Sequence, residues 1–400
     1  MKLLHTSDWH LGRSFHGVGT LAAQRRFADQ LLDTVRAESI DVVLVAGDVY
    51  DRALPSVDVV NLFDDILARL NAAGVQVIVT SGNHDSATRL GFGGRLLESA
   101  GVHLRTRIAD LATPILLPLN RKASGAEGGE ESGAEGGPVL AIYGIPYLEP
   151  RLVAEELGVE HGTHFSVTEA AVKLIGADLA TRPPGTPSVV LAHTFASGGI
   201  TSASERELSI GGVGAVPLDL FDPFSYTALG HLHGPQRLSE SVRYSGSPLP
   251  YSFSEAAHHK GAWLLEITES GLGEVTKVDW APERALSILK GKLEDLLAEQ
   301  KWAADEANYC QITLTDNDRP ELAMERLRSR FPHTLVLMFD PEIARDADKQ
   351  SYGSRIAAAT DELELCCGFL DHVRHRAAND DEQQLLRAAL AAAREEEAAR

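Results

Sequence analysis

Two kinds of hydrophobic pattern alternate along the first half of the chain. Short runs at 2–7, 41–46 and 76–80, the last two mostly apolar, read as buried strands. Between them, 22–38 and 57–73 place apolar residues at the three-and-four spacing of an amphipathic helix. Strand–helix alternation of this kind predicts an α/β sheet covered by helices. Further runs at 139–143, 188–192, 226–229, 242–245, 262–267 and 274–280 predict strands with fewer helices between them, which points to a second sheet. Residues 284–341 read strand, helix, strand, helix, strand, with 311–314 and 334–339 the clearest strands. This stretch is expected to form a small α+β domain over 281–345. From 351 to 400 the pattern is helical, broken near 377–381. Residues 121–138 interrupt the order: they are Gly, Glu and Ala in low-complexity arrangement, cannot bury apolar surface, and are expected to form a flexible loop.

Length and charge refine this picture. Four hundred residues exceed one small domain and suit a large domain with appendages. No apolar run approaches the ~20 residues that a bilayer requires, and the first residues lack an apolar signal core. No membrane association is expected. The three cysteines, Cys310, Cys366 and Cys367, form neither a disulfide framework nor a zinc-type pair, which fits a reducing cytoplasm. Net charge is −20, which argues against tight DNA binding by the chain alone. The surplus lies downstream: residues 1–120 hold 11 basic and 13 acidic side chains.

Five short polar clusters carry candidate chemistry, and nearly all directly follow an apolar strand. They are Asp8-Trp9-His10, Gly47-Asp48, Gly82-Asn83-His84-Asp85, Ala192-His193 and Gly230-His231-Leu232-His233. Strand ends of this kind bring side chains together at one edge of a sheet. Asp, Asn and His without thiolates suit hard to borderline divalent ions. Taken singly, each cluster reads more simply as turn chemistry or a hydrogen-bonded rim histidine. Five in this order are hard to explain by packing.

Together these clusters resemble the signature of the calcineurin-like metallophosphoesterases. The strings 5–12 (His-Thr-Ser-Asp-Trp-His-Leu-Gly), 45–51 (Val-Ala-Gly-Asp-Val-Tyr-Asp) and 244–248 (Tyr-Ser-Gly-Ser-Pro) are similar to those of the SbcD family of nuclease subunits. The resemblance covers about residues 1–280 and implies a sandwich of two mixed sheets flanked by helices. It implies two divalent ions, expected to be Mn²⁺, with Asp8, His10 and His233 on one, Asn83, His193 and His231 on the other, and Asp48 bridging. In this pattern His84 is the general acid, with Asp85 fixing its tautomer. Arg13, His16 and Arg89 lie near the same loops and are candidate phosphate contacts, or ordinary solvated side chains. The family pattern also implies a cytoplasmic, nucleoid-associated enzyme that trims double-stranded DNA ends 3′→5′ and opens hairpins. An SbcC-type ATPase partner is implied too, within a heterotetramer built on a homodimer. The absence of a Gly-rich phosphate loop ending in Lys-Ser/Thr agrees with ATP hydrolysis by a partner. Some archaeal relatives carry His at the position of Asp51, which touches only how a DNA end is held.

Two other readings share the pattern. A phosphatase, nucleotidase or cyclic-nucleotide phosphodiesterase would use the same metal core, and residues 47–52 echo a protein-phosphatase string; those phosphatases end the third cluster in Glu, where this chain has Asp85. A non-enzymatic scaffold would not need His84. In the tail, Leu363, Cys366, Leu370 and Val373, then Leu386, Ala389, Leu390 and Ala393, form apolar stripes. These either pack on the chain itself or on each other, or dock on the coiled-coil base of the ATPase.

Overall fold

The computed structural model describes residues 1–119, 137–205, 215–342, 361–374 and 376–398, so most of the expected loop 121–138 lies outside the described residues. These residues form two compact units, Met1–Ser287 and Ile288–Arg400.

The strands of the first unit are, in chain order, β1 (Lys2–Thr6), the β2–β3 hairpin (Ser14–Phe15 and Val18–Gly19), β4 (Val42–Ala46), β5 (Gln76–Thr80), β6 (Val102–Arg105), β7 (Ile115–Pro118), β8 (Val139–Ile145), β9 (Ser188–His193), β10 (Tyr226–Gly230), β11 (Gln236–Arg237), β12 (Val242–Tyr244), β13 (Gly261–Thr268) and β14 (Gly271–Asp279). One six-stranded sheet runs β14-β13-β1-β4-β5-β6, the other β11-β12-β10-β9-β8-β7. β1, β4, β5 and β6 are mutually parallel, and β13 and β14 join them antiparallel. In the second sheet β8, β9, β10 and β12 are parallel, between antiparallel β7 and β11. Both sheets are therefore mixed, as the family resemblance implies.

Period two decides what each strand buries. Along β4, Val42 and Leu44 point into the cluster between the sheets with Ile142, Leu191 and Ala228. Val43 and Val45 point the other way, against helices Leu21–Glu38 and Val57–Ala72. The second sheet repeats the logic: Leu140 and Ile142 of β8 face inward, while Ala141, Tyr143 and Ile145 pack under helix His164–Leu179 through Val167, Ala171 and Ile175. Strands buried on both faces read as continuous apolar runs, which is why they are visible in the sequence. β6, β7 and helix His164–Leu179 are not among the sequence expectations. β6 and β7 are sheet edges of four residues each, too short to carry a period. The helix is apolar on more than one face, with Phe165 and Leu174 exposed, so its stripe is blurred.

In the second unit, β15 (Leu286–Gly291), β16 (Tyr309–Leu314) and β17 (Thr334–Phe339) form one sheet in that order. Helices Leu293–Ala298 and Ala323–Arg330 close it over Leu289, Leu293, Leu296, Ile312, Leu327 and Phe331. Helices Glu362–Arg374 and Asp380–Ala398 follow, joined by ion pairs Arg394–Glu362 at 2.8 Å and Arg374–Glu382 at 2.6 Å. Leu363, Cys366 and Leu370 of the expected stripe are half-buried, whereas Val373 is exposed together with Leu365 and Phe369.

Leu44 is fully buried between the sheets, so Leu44→Ala removes contacts no neighbour can replace. The substitution should destabilise the protein by ~2–5 kcal/mol, read as a lower urea midpoint at unchanged slope.

Candidate metal centre

Parallel strands put their C-terminal ends on one edge. β1, β4 and β5 deliver Asp8 and His10, Asp48, and Asn83 from one sheet; β9 and β10 deliver His193 and then His231 and His233 from the other. The loops leave these strands abruptly. Asp8, His10, Asp48 and His231 have φ of 53°, 43°, 49° and 109°, a region non-glycine residues rarely occupy at a cost of order 1–3 kcal/mol each. Glycines make the close approaches possible: a Cβ at Gly82 would collide with Asp48, and one at Gly230 with the Ala46 carbonyl.

The side chains so delivered form three groups whose potential ligand atoms lie within 4.8 Å of one another: Asp8/His10/His233, His10/Asp48/His84 and Asp8/Asp48/His193. The Nε2 atoms of His10 and His233 are 3.1 Å apart. On the other side, Asn83 Oδ1 lies 3.0 Å from His193 Nε2 and 3.3 Å from His231 Nδ1. Asp48 sits between the two sets, its Oδ2 3.6 Å from His10 Nε2 and 3.4 Å from His193 Nε2. Its Oδ1 accepts the backbone N–H of His84 at 2.9 Å. All seven expected ligands are thus in one place, and all but Asn83 are buried.

Burial sets the electrostatics. It pushes the Asp8 carboxyl up to about 6 and His231 down to about 3. Burial also opposes charge on His193, but the Asp48 carboxylate outweighs it and raises His193 to about 9. Geometry agrees, since both His193 ring nitrogens face acceptors: Nδ1 the Ala46 carbonyl at 2.9 Å, Nε2 Asn83 Oδ1. Asp48 in turn is held below the usual carboxylate range, its burial overridden by His193, His10 and His84. A buried cluster of carboxylates and imidazoles with one histidine borrowed as counter-cation is a donor set that fits divalent cations.

His84 and Asp85 do not relate as expected. The Asp85 carboxylate accepts backbone N–H groups of Val49 at 3.1 Å, Tyr50 at 2.8 Å and Gly82 at 2.9 Å, and so pins the β4 loop to the β5 loop. It makes no hydrogen bond to the His84 ring; as the next residue in a tight turn, it points the opposite way. The His84 Nδ1–H instead donates to the Asp51 carbonyl at 3.0 Å, which leaves Nε2 as the working nitrogen. Asp51 also places its carboxylate 3.7 Å from His10 Nδ1 and 3.8 Å from Arg13 Nε. Arg13 lies over the Tyr251 ring, 5.0 Å from its centroid. His16 caps the β2–β3 hairpin against Phe15 and Phe253. Arg89 donates to the Ala53 carbonyl and is exposed.

Several site residues have no counterpart in the sequence reading. Gln24, buried on a helix, donates to the His10 carbonyl and accepts from Gly12 N–H, both at 2.9 Å. Its signal was a polar residue on an apolar helix face. Ser204, Glu205, Glu255 and Lys260 surround His233 from loops with no periodicity to betray them. Of the 244–248 string, Ser245 bonds Ser7, which donates to Asp8, and Tyr244 bonds both Thr194 and Ala196.

With this geometry in hand, the chain can be set against known proteins. Residues 1–235 match the sequence family of calcineurin-like phosphoesterases, and 282–374 match the type 5 capsule protein repressor C-terminal domain. The SbcD subunit of the SbcCD nuclease from Staphylococcus epidermidis is 30% identical over 342 residues, 84% of this chain and 85% of that protein. The chain belongs to the SbcD family of calcineurin-like phosphoesterases. Among solved structures, TT1561 of Thermus thermophilus is 14% identical with a TM-score of 0.38, covering 69% of this chain and 98% of its own. A dimetal phosphatase from Danio rerio is 13% identical with a TM-score of 0.39, covering 70% and 99%. As a calcineurin-like SbcD-family member, the chain is a hydrolase of phosphodiester bonds that works with divalent metal ions.

The raised His193 gives a pH prediction. Below about 9 the metal-free ring is protonated, and a metal must displace that proton to reach Nε2. Metal affinity should therefore fall as pH is lowered from 9, and loading at about pH 7.5 should release protons. Titration calorimetry in buffers of different ionisation enthalpy reads this directly; heats independent of buffer would remove His193 from the binding step.

Proposed function

We propose that the chain is the nuclease subunit of an SbcCD-type complex. In this reading it hydrolyses phosphodiesters at double-stranded DNA ends, 3′→5′, and at hairpins, together with an SbcC-type ATPase. The observation that carries it is Asp48, a buried carboxylate set between two histidine-containing donor sets with His84 beside it. Asp8, His10 and His233 would hold one divalent ion and Asn83, His193 and His231 the other, with Asp48 serving both; Mn²⁺ is the ion proposed. Such a pair supplies water activation and charge neutralisation on the phosphoryl oxygens when bound. The protein's own contribution is position and a proton. Arg13, half-buried beside the site, is suited to a phosphate oxygen. The Asp51 carbonyl fixes Nδ1–H of His84, so Nε2–H of its imidazolium can protonate the departing 3′ oxygen.

The second unit and the acidic surplus bear on partners. A chain of net charge −20 gains little from phosphate contacts, so DNA is held jointly with the ATPase. The exposed Leu365, Phe369 and Val373, one helical turn apart on Glu362–Arg374, suit docking on that partner. No described helix is long and apolar enough to cross a membrane. Work on chromosomal DNA would place the protein in the cytoplasm at the nucleoid, as a homodimer within a heterotetramer.

Cleavage of hairpin and blunt-ended DNA with Mn²⁺, with and without the ATPase, tests the reading; hydrolysis of phosphopeptides or mononucleotides without DNA cleavage would favour the phosphatase alternative. His84→Ala should keep both metals and lose ~10²–10⁴-fold in turnover on DNA, but much less on a nitrophenyl phosphodiester, whose leaving group needs no proton. Equal losses on both substrates would remove His84 from the acid role. A chain ending at residue 350 should keep manganese-dependent cleavage of the nitrophenyl ester and lose co-purification with the ATPase. Undiminished co-purification would shift the contact to the β15–β17 sheet.

A further inference from the structure

His233 is gripped at every polar atom except the one that faces the metal position. Its backbone N–H donates to Glu205. Its carbonyl accepts from Lys260 Nζ at 2.8 Å. Its Nδ1 meets Ser204 Oγ at 2.9 Å. Ser204 Oγ in turn lies 2.9 Å from Glu255 Oε1, and Glu255 Oε2 is paired with Lys260 Nζ at 2.5 Å. Lys260 also donates to Ser247 Oγ at 2.9 Å. Glu255 and Lys260 are 1% and 3% exposed, so their charges are compensated by each other and not by water.

The ion pair orders the protons along this chain. With Lys260 as its counter-ion, Glu255 is an anion and only accepts. Ser204 has one hydroxyl proton, which the carboxylate 2.9 Å away takes, while Ser202 Oγ at 2.6 Å donates to Ser204. Ser204 Oγ must then accept from His233, which places the ring proton on Nδ1 and leaves Nε2 bare. His233 Nε2 lies 3.1 Å from His10 Nε2, on the side of the metal position.

We propose that the buried Glu255–Lys260 ion pair, acting through Ser204, fixes the Nδ1–H tautomer of His233 and so keeps its Nε2 lone pair directed at the metal position. Glu255, Lys260 and Ser204 are positioning residues; none touches substrate. The proposal rests on the reading of His233 as a metal ligand. An oriented partner of this kind is worth ~10–100-fold in metal affinity.

The test uses the full chain, metal-free, with MnCl₂ as the probe. Calorimetry of the unmodified protein is expected to give two Mn²⁺ per chain, and ¹⁵N NMR of the histidine rings the Nδ1–H form of His233. Ser204→Ala, which leaves the ion pair intact, should weaken one binding step ~10–100-fold, leave the other unchanged, and mix the two His233 tautomers. Glu255→Gln, whose amide can donate as well as accept, should do the same; if that variant does not fold, Ser204→Ala decides alone. An unmodified chain that takes up no Mn²⁺ overturns the metal-centre reading. Two Mn²⁺ in the unmodified chain, with Ser204→Ala matching it in both affinity and tautomer, overturns the relay and leaves that reading standing.

Discussion

The structure turns on one buried carboxylate. Asp48 stands in left-handed backbone at the end of β4, faces His10 on one side and His193 on the other, and accepts the His84 N–H. Its own carbonyl receives the His10 N–H at 2.9 Å, so it positions part of the first cluster through the main chain as well as through its charge. Gly82 is glycine because Asp48 occupies the space a Cβ would need. A buried anion costs several kcal/mol unless it is compensated. Here compensation comes from histidines that belong to both sheets, so the charge of one residue couples the two halves of the sandwich. Placing the site between sheets makes this coupling unavoidable, because neither sheet alone presents enough ligands.

Much of this was legible before any coordinates. Strands buried on both faces announce themselves as apolar runs, and β4, β5 and β9 are of that kind, whereas β1 and β10 are buried with polar residues among their apolar ones. The candidate ligands stand at or directly after their ends, so their convergence follows from the parallel order. The less legible parts share a physical cause. Short edge strands such as β6 carry too few residues for a period. The residues that hold the ligands, Ser204, Glu255 and Lys260, reach His233 from irregular loops, where spacing along the chain says nothing about proximity. Asp85 departs from what the family resemblance implies. In place of the His84 ring, its carboxylate takes three backbone N–H donors. The His84 partner is a main-chain carbonyl, which no residue type advertises.

The net charge looks at first like evidence against a nuclease, yet its location removes most of the conflict. Residues 1–120, which provide Asp8 through Asp85, are nearly balanced, and the acidic excess lies downstream. At the site, the Asp48 charge is balanced locally by His193, and burial raises the Asp8 carboxyl. Acidic surface elsewhere repels free DNA over no more than a Debye length, ~8–10 Å at ordinary ionic strength. A chain of this charge gains little from meeting DNA alone.

A calcineurin-like metal core does not by itself choose among phosphodiesters and phosphomonoesters, because divalent ions serve either chemistry. Choice must come from groups around it that differ in shape. In this chain those groups form a connected rim: Asp51 reaches toward His10, Arg13 and, through its carbonyl, His84, while Arg13 rests on Tyr251, whose hydroxyl donates to the Trp9 carbonyl at 2.5 Å. Gln24 ties the same loop back to its helix. The rim and the first cluster are thus linked through ion-pair contacts, a cation–π contact and hydrogen bonds. The contacts of Arg13 with Asp51 and Tyr251 therefore run into the residues that pack against His10.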